Sequence, residues 1–371
     1  MKEWPVQVNL KAPKILAQGR LFNNTSIFAK RDDAHWRVDL SAAEVKGRLD
    51  LKLDANPKLR ELSANLSLLN VTPRESADKD PLLSDETPLF TLLDLNIDDL
   101  QLKGKSLGHA SLRAVNEPLS SGSARAWKFT SIELDNTDVT LKAQGRWESQ
   151  SQLRALGNQS HLDLEMNILN AGHLLDRLGT PGVVRNGKGS LKGQLSWQGS
   201  LINPQFDTLN GAFSVDVERG QFLKTDPGAA RLLGVLNLQA LPRRLTLDFR
   251  DVFAEGFSFD NFKGDVEVTQ GEAQTHNLIM KGVSAAVMLE GRANIGAETQ
   301  DVNVVVVPEI NAGTASLLYG TINPIVGLTS FLAQVVLREP LIKANTRTFH
   351  ISGSWSDPQV NKTELSTENA P

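Results

Sequence analysis

Cysteine is absent from this 371-residue chain. That excludes disulfides, thiolate nucleophiles and cysteine-based zinc or iron–sulfur sites. It also suits an oxidising compartment, although many cytosolic chains lack cysteine too. An excess of charge is lacking as well: 39 Lys and Arg stand against 43 Asp and Glu, for a net charge of −4. The basic residues are scattered rather than clustered, so nucleic acid is not expected as a partner. Histidines are few, at positions 35, 109, 161, 173, 276 and 350, and none falls in H-E-x-x-H or at metal-ligand spacing. No metal and no cofactor are expected. Nor does an apolar leader follow Met1-Lys2-Glu3-Trp4-Pro5, so no signal peptide or anchor is expected there. Alternation begins at once, at Val6, Val8 and Leu10, and a chain that opens inside a strand reads as a fragment.

What the chain has in abundance is period-two alternation, which marks strands with one apolar face. It appears in Trp36-Val38-Leu40, Leu49-Leu51-Leu53, Leu93-Leu95-Ile97, Val139-Leu141-Ala143 and Leu162-Leu164-Met166-Ile168. It continues in Phe213-Val215-Val217, Leu245-Leu247-Phe249, Val266-Val268, Val302-Val304-Val306 and Phe349-Ile351. The intervening residues are polar, so one face is wet and the other dry, as in antiparallel sheets. The predicted fold class is all-β, mainly antiparallel: an elongated, twisted, repeating sheet shaped as a β-groove, with a few short helices near the C-terminal end. A signature recurs at Gln18-Gly19-Arg20, Lys46-Gly47-Arg48, Gln144-Gly145-Arg146 and Glu290-Gly291-Arg292. Its expected form is a glycine bulge or turn at a strand end, with the basic residue on the rim.

Helical signals are sparse. Asn170–Leu178 suits a short helix, and Asp226-Pro227 starts a second that runs to about Leu236. The uncharged run Ile310–Leu337 has Leu318, Ile322, Ile325, Leu332 and Val336 near helical spacing, broken by Asn323-Pro324. Those five residues are the candidates for a membrane contact or a cap. The expected segments are 1–72 and 89–200 as groove repeats, 73–88 as a linker, 201–360 as a C-terminal region and 361–371 as a disordered tail.

Apparent catalytic motifs dissolve on inspection. Gly104-Lys105-Ser106-Leu107-Gly108 spells a nucleophile elbow, but Leu100, Leu102, Ala110 and Leu112 put strands on both sides, so a hairpin turn is expected. Gly187-Lys188-Gly189 runs on into Leu191, Leu195 and Trp197 at strand spacing, with no helix to hold a pyrophosphate. Asp248, Asp251, Asp260 and Asp265 alternate with Arg250 and Lys263, as cross-strand pairs on a wet face do. The chain is therefore not expected to be an enzyme.

One block is recognisable. It contains Leu209-Asn210-Gly211, Gly220-Gln221-Phe222-Leu223, Asp226-Pro227-Gly228-Ala229 and Arg231-Leu232-Leu233-Gly234. Leu241-Pro242-Arg243-Arg244-Leu245-Thr246-Leu247-Asp248-Phe249-Arg250-Asp251-Val252-Phe253 and Gly256-Phe257-Ser258-Phe259-Asp260 complete it. Leu195-Ser196-Trp197-Gln198-Gly199 and Gly353-Ser354-Trp355-Ser356-Asp357-Pro358 flank it. This block resembles the C-terminal region of the AsmA-like family, in its YhdP branch. The resemblance implies a periplasmic body of β-groove units on a protein anchored in the inner membrane, of which this chain is the C-terminal part. It further implies phospholipid movement to the outer membrane and support of its permeability barrier, with no catalytic residues to transfer.

A one-sided apolar sheet with few helices must pack on itself, close, or curl around something else. Acyl chains are a suitable filler, at about 0.8 kcal/mol per buried methylene. The expected groove lining is Phe213, Val215, Val217, Leu245, Leu247, Phe249, Val266, Val268, Val302, Val304 and Val306. The expected partners are phospholipid acyl chains, the inner and outer membranes, and other envelope proteins. The alternative is an envelope scaffold or assembly factor for outer-membrane proteins, with a filled core and no lipid. A β-helix carbohydrate enzyme or adhesin is a third reading, and the irregular Gly-Arg spacing argues against it.

Overall fold

The computed structural model describes residues 7–17, 19–53, 60–71, 90–102, 104–118, 125–148, 158–178, 180–201, 203–223, 256–283, 285–308 and 346–363. These are almost wholly strand, and nearly every pairing joins neighbours in the chain. The all-β, mainly antiparallel class expected from the alternation is what the chain adopts. Two compact units are present: residues 1–164 with 196–204, and residues 165–195 with 205–371.

The first unit contains β1 (Gln7–Ala17), β2 (Arg20–Asp32), β3 (His35–Ser41), β4 (Val45–Leu53) and β5 (Arg60–Val71). These are followed by β6 (Leu92–Leu102), β7 (Lys105–Pro118), β8 (Arg125–Asp135) and β9 (Val139–Glu148). β1 to β5 form an antiparallel meander, as do β6 to β9. β5 and β6 run parallel, with Leu62 opposite Leu93 and Leu66 opposite Ile97. Residues 72–89, which include the expected linker, lie outside those described. β10 (Gln159–Ile168) and β11 (Val184–Ser200) each have residues in both units. The short β12 (Asn203–Pro204) pairs with the end of β11.

Turn chemistry follows the sequence. Gly104, at φ +77, makes the β6–β7 connection, as the hairpin reading of Gly104-Lys105-Ser106 expects. Asn136 uses its side-chain oxygen to accept from the backbone N–H groups of Asp138 and Val139, closing β8 to β9.

The second unit contains the helix α1 (Ala171–Leu178) and the strands β13 (Asn210–Phe222), β14 (Phe257–Thr269), β15 (Glu272–Lys281), β16 (Ala285–Asn294) and β17 (Thr299–Pro308). β18 (Arg347–Ser354) and β19 (Pro358–Thr363) end it. β13 to β19 form an antiparallel meander. α1 lies where the sequence places a short helix. The Asn170 side chain accepts from the His173 N–H at its start, and Leu174 and Leu175 pack on the sheet. β19 includes Asn361, Lys362 and Thr363, so the strand takes in the first three residues of the segment expected to be a disordered tail. The residues expected as a second helix (227–236), the run 310–337 and the rest of the tail lie outside the described residues.

Candidate functional site

In the first unit the strand registers align every apolar phase on one face. Val38, Leu49, Ala64, Leu95, Leu112, Ile132 and Ala143 stand opposite one another in sequence across β3 to β9. A second row is Leu40, Gly47, Leu66, Ile97, Ala110, Leu134 and Leu141, and a third is Trp36, Leu51, Leu62, Leu93, Ala114, Phe129 and Gly145. Ala29 and Ile27 of β2, then Val8 and Leu10 of β1, extend the first two rows. No charged residue occurs in any of the three. The parallel β5–β6 pair and the bulges in β5, β6, β7 and β8 leave the three rows unbroken.

This face is not roofed over. Among the described residues of the unit no helix or second strand layer lies on it. Leu10 remains 45% exposed, Leu53 39% and Val8 37%. Val38, Leu49, Leu95, Leu112, Ile132, Leu134 and Leu141 are half-buried. Apart from alanines, the fully buried apolar side chains among the described residues of this unit are Val139, Trp197 and two local clusters: one around Ala64, Leu66, Ile97 and Ala110, the other around Ala114, Trp127, Phe129 and Trp147. A sheet face that was one half of a sandwich core would have its large side chains near zero exposure.

The opposite face is wet and charge-balanced. Arg48 pairs with Asp39 at 2.8 Å, Arg37 with Asp50 at 3.4 Å, Arg113 with Asp94 at 3.5 Å and Lys52 with Glu61 at 3.7 Å. All are exposed, and such pairs contribute little stability. They keep that face in water, which fixes the apolar rows on the other side.

The second unit is built differently. Leu278, Met280, Val287, Leu289, Val302, Val304, Val306, Phe349 and Ile351 form one buried cluster, with α1 and Val215 packed against it. The reverse face of the same strands is buried too: Ile279 is 0% exposed, and Met288 and Val305 1% each. Here the chain's own side chains fill the space.

A family model described as YhdP protein matches residues 2–360. The chain belongs to the YhdP family. It is similar to the "Intermembrane phospholipid transporter YhdP" of Escherichia coli (strain K12), with 26% identity over 97% of this chain. The match spans 28% of that relative's length. No solved structure matches the chain.

In this YhdP-family chain the residues expected to line a groove fall into three groups. Phe213 and Val266 stand side by side on β13 and β14 and are half-buried, as is Val215. Val217, Val268, Val302, Val304 and Val306 are buried, and all of these but Val268 belong to the closed cluster of the second unit. The last three are 2%, 0% and 0% exposed, within that cluster. Leu245, Leu247 and Phe249 lie outside the described residues, as do Leu318, Ile322, Ile325, Leu332 and Val336.

The Gly-Arg signature meets a turn at Gly19 and bulges at Gly47 and Gly145, as expected, but the last two and Gly291 lie within strands rather than at their ends. Gly19 is in the β1–β2 turn, but Gly47, Gly145 and Gly291 are inside β4, β9 and β16, on the apolar face. A Cβ on Gly47 would stand 2.2 Å from the Asn65 carbonyl oxygen, and one on Gly145 2.0 Å from that of His161. Glycine is required there by close backbone approach. Alternation then turns the following arginine to the wet face rather than to a rim: Arg48 onto Asp39, Arg146 onto Glu148 and Arg292 onto Asp301.

Other polar groups serve the strands. Asp265 accepts from Ser214 and Asn277, which hold its carboxyl below the usual range. His276 meets Glu290 at 3.0 Å and His350 meets Asn303 at 3.2 Å, each across neighbouring strands. Among the described residues no three His, Asp or Glu side chains are grouped to hold a metal ion, and no helix is long and apolar enough to cross a membrane.

Proposed function

We propose that this chain binds phospholipid through its acyl chains, on the apolar face of the first unit, and passes it along that face as one segment of a carrier between the inner and outer membranes. The observation that carries this reading is the unroofed face itself: three charge-free rows across β3 to β9 in which Val38, Leu49, Leu95, Leu112, Ile132, Leu134 and Leu141 remain half-buried. Nine strands about 4.8 Å apart make that face about 40 Å long. An acyl chain is about 15 Å long, half of the ~30 Å hydrocarbon core of a bilayer. The face therefore has room for chains in succession. It is lined by aliphatic side chains that fix no single pose, which favours sliding over tight capture. Each methylene that leaves water for this surface contributes up to about 0.8 kcal/mol. The YhdP-family membership and the name of the Escherichia coli relative point the same way.

On this reading the chain performs no chemistry, and it works in the periplasm next to the inner membrane. It helps keep the outer membrane impermeable by supplying it with phospholipid. In the second unit, taken by itself, the half-buried pair Phe213 and Val266 is where an acyl chain would meet the sheet. The test is mass spectrometry of organic extracts from the purified chain, with Leu112→Glu beside it. Phospholipid is expected with the unaltered chain, and at least several-fold less with Leu112→Glu at an unchanged circular dichroism spectrum. Equal lipid in both contradicts the placement on this face. No lipid in either favours the scaffold reading.

A further inference from the structure

The buried tryptophans at strand ends differ in one respect. Trp197 donates its indole N–H to the Ser200 carbonyl at 2.9 Å, and Trp355 donates to that of Thr299 at 3.2 Å. Trp147, only 3% exposed, has an Nε1 with no hydrogen-bond partner. A buried donor left unpaired is costly, and most are satisfied in folded proteins. Trp147 stands opposite Trp127 on β8, in the buried cluster with Phe129 and Ala114. Half-buried Leu112 and Ile132, which belong to the open apolar rows, pack directly against that cluster. The spare donor thus lies inside a buried cluster that borders the surface assigned to acyl chains, and a lipid group meets it only by inserting among those side chains.

We propose that the Trp147 indole N–H is a binding site for the ester carbonyl of a diacyl phospholipid, fixing how far the lipid's polar end travels along the face. This rests on the lipid reading above. Tryptophan suits the boundary, since its ring packs with the acyl chain while its one polar atom meets the first oxygen beyond it. The acceptor is the neutral carbonyl and not the phosphate, because the apolar rows carry no cation and a buried unpaired anion is far more costly.

The experiment uses the full chain labelled with 15N in its six tryptophans, with Trp147→Phe to identify the indole signal. The probes are a short-chain diacyl phosphatidylcholine and its diether analogue of equal chain length, which lacks the ester carbonyls. The diester is expected to move the Trp147 signal and leave those of Trp197 and Trp355 in place. The diether is expected to bind about three- to ten-fold more weakly, the usual effect of one neutral hydrogen bond. Trp147→Phe should lower diester affinity by the same factor and leave diether affinity unchanged. If that variant does not fold, the ester-against-ether comparison on the unaltered chain carries the test. Equal affinity for the two lipids, or binding of the diester with no Trp147 shift, overturns the assignment and leaves the lipid face standing. Failure of both lipids to bind overturns the two together.

Discussion

Glu44 is buried in the turn between β3 and β4, where it accepts from both the backbone and the side chain of Asn23 at 2.8 and 2.6 Å. Burial raises its pKa, but these hydrogen bonds more than offset that, and the carboxyl is held below the ordinary glutamate value. A group whose folded-state pKa is depressed contributes stability that is present above its unfolded value and is lost as pH falls through the folded value. Asn23→Ala removes one of the bonds, so acid unfolding of the first unit is expected to begin at higher pH than in the unaltered chain. An acid titration followed by tryptophan fluorescence checks this, and an unchanged acid limb counts against it. Ser214→Ala is expected to act in the same direction on the second unit, by removing the hydrogen bond that does most to hold the Asp265 carboxyl below its ordinary range.

Within the strands, the glycines separate two kinds of constraint. Gly47 is at φ +146 with a backbone oxygen 2.2 Å from where a Cβ would stand, whereas Gly104 is at φ +77 with nothing within 4 Å. Gly47→Ala is therefore expected to cost at least about 2 kcal/mol, against roughly 1 kcal/mol for Gly104→Ala, which meets only the left-handed penalty. Urea unfolding of the two variants measures the difference. A similar contrast holds between the packed and open strands. Leu289 is 1% exposed in the closed cluster, so Leu289→Ala is expected to cost about 2–5 kcal/mol while leaving co-purified lipid unchanged.

The strands themselves were legible in the sequence, because alternation maps directly onto a sheet with one wet face. Which apolar stretch stays open was not. Val302-Val304-Val306 and Leu93-Leu95-Ile97 have the same period, yet the first is enclosed on β17 and the second lies largely on the open face. Exposure depends on what lies across the sheet, which alternation on one phase alone does not encode. The signal at hand was subtler. On β17, Val305 and Val307 fall on the phase that is polar in β6, where Asp94 and Asn96 stand. A strand apolar on both phases is one buried on both faces. The role of glycine in Gly-Arg was obscured in the same way, since only the register of β4 against β5 shows the backbone contact that demands it.

At the scale of the whole chain, the match spans 28% of the length of a relative named as an intermembrane phospholipid transporter. Carriage between two membranes is what that longer relative is named for, and acyl-chain binding is the part to ask of this chain. The most direct measurement is photo-crosslinking to a radiolabelled phospholipid supplied in vesicles. A benzophenone amino acid is placed at Leu95 or Leu112 on the apolar face, and at Asn96 or Arg113 on the charged face. The account expects adducts at Leu95 and Leu112 and none above background at Asn96 and Arg113. Equal labelling of the two faces, or labelling of neither, contradicts it.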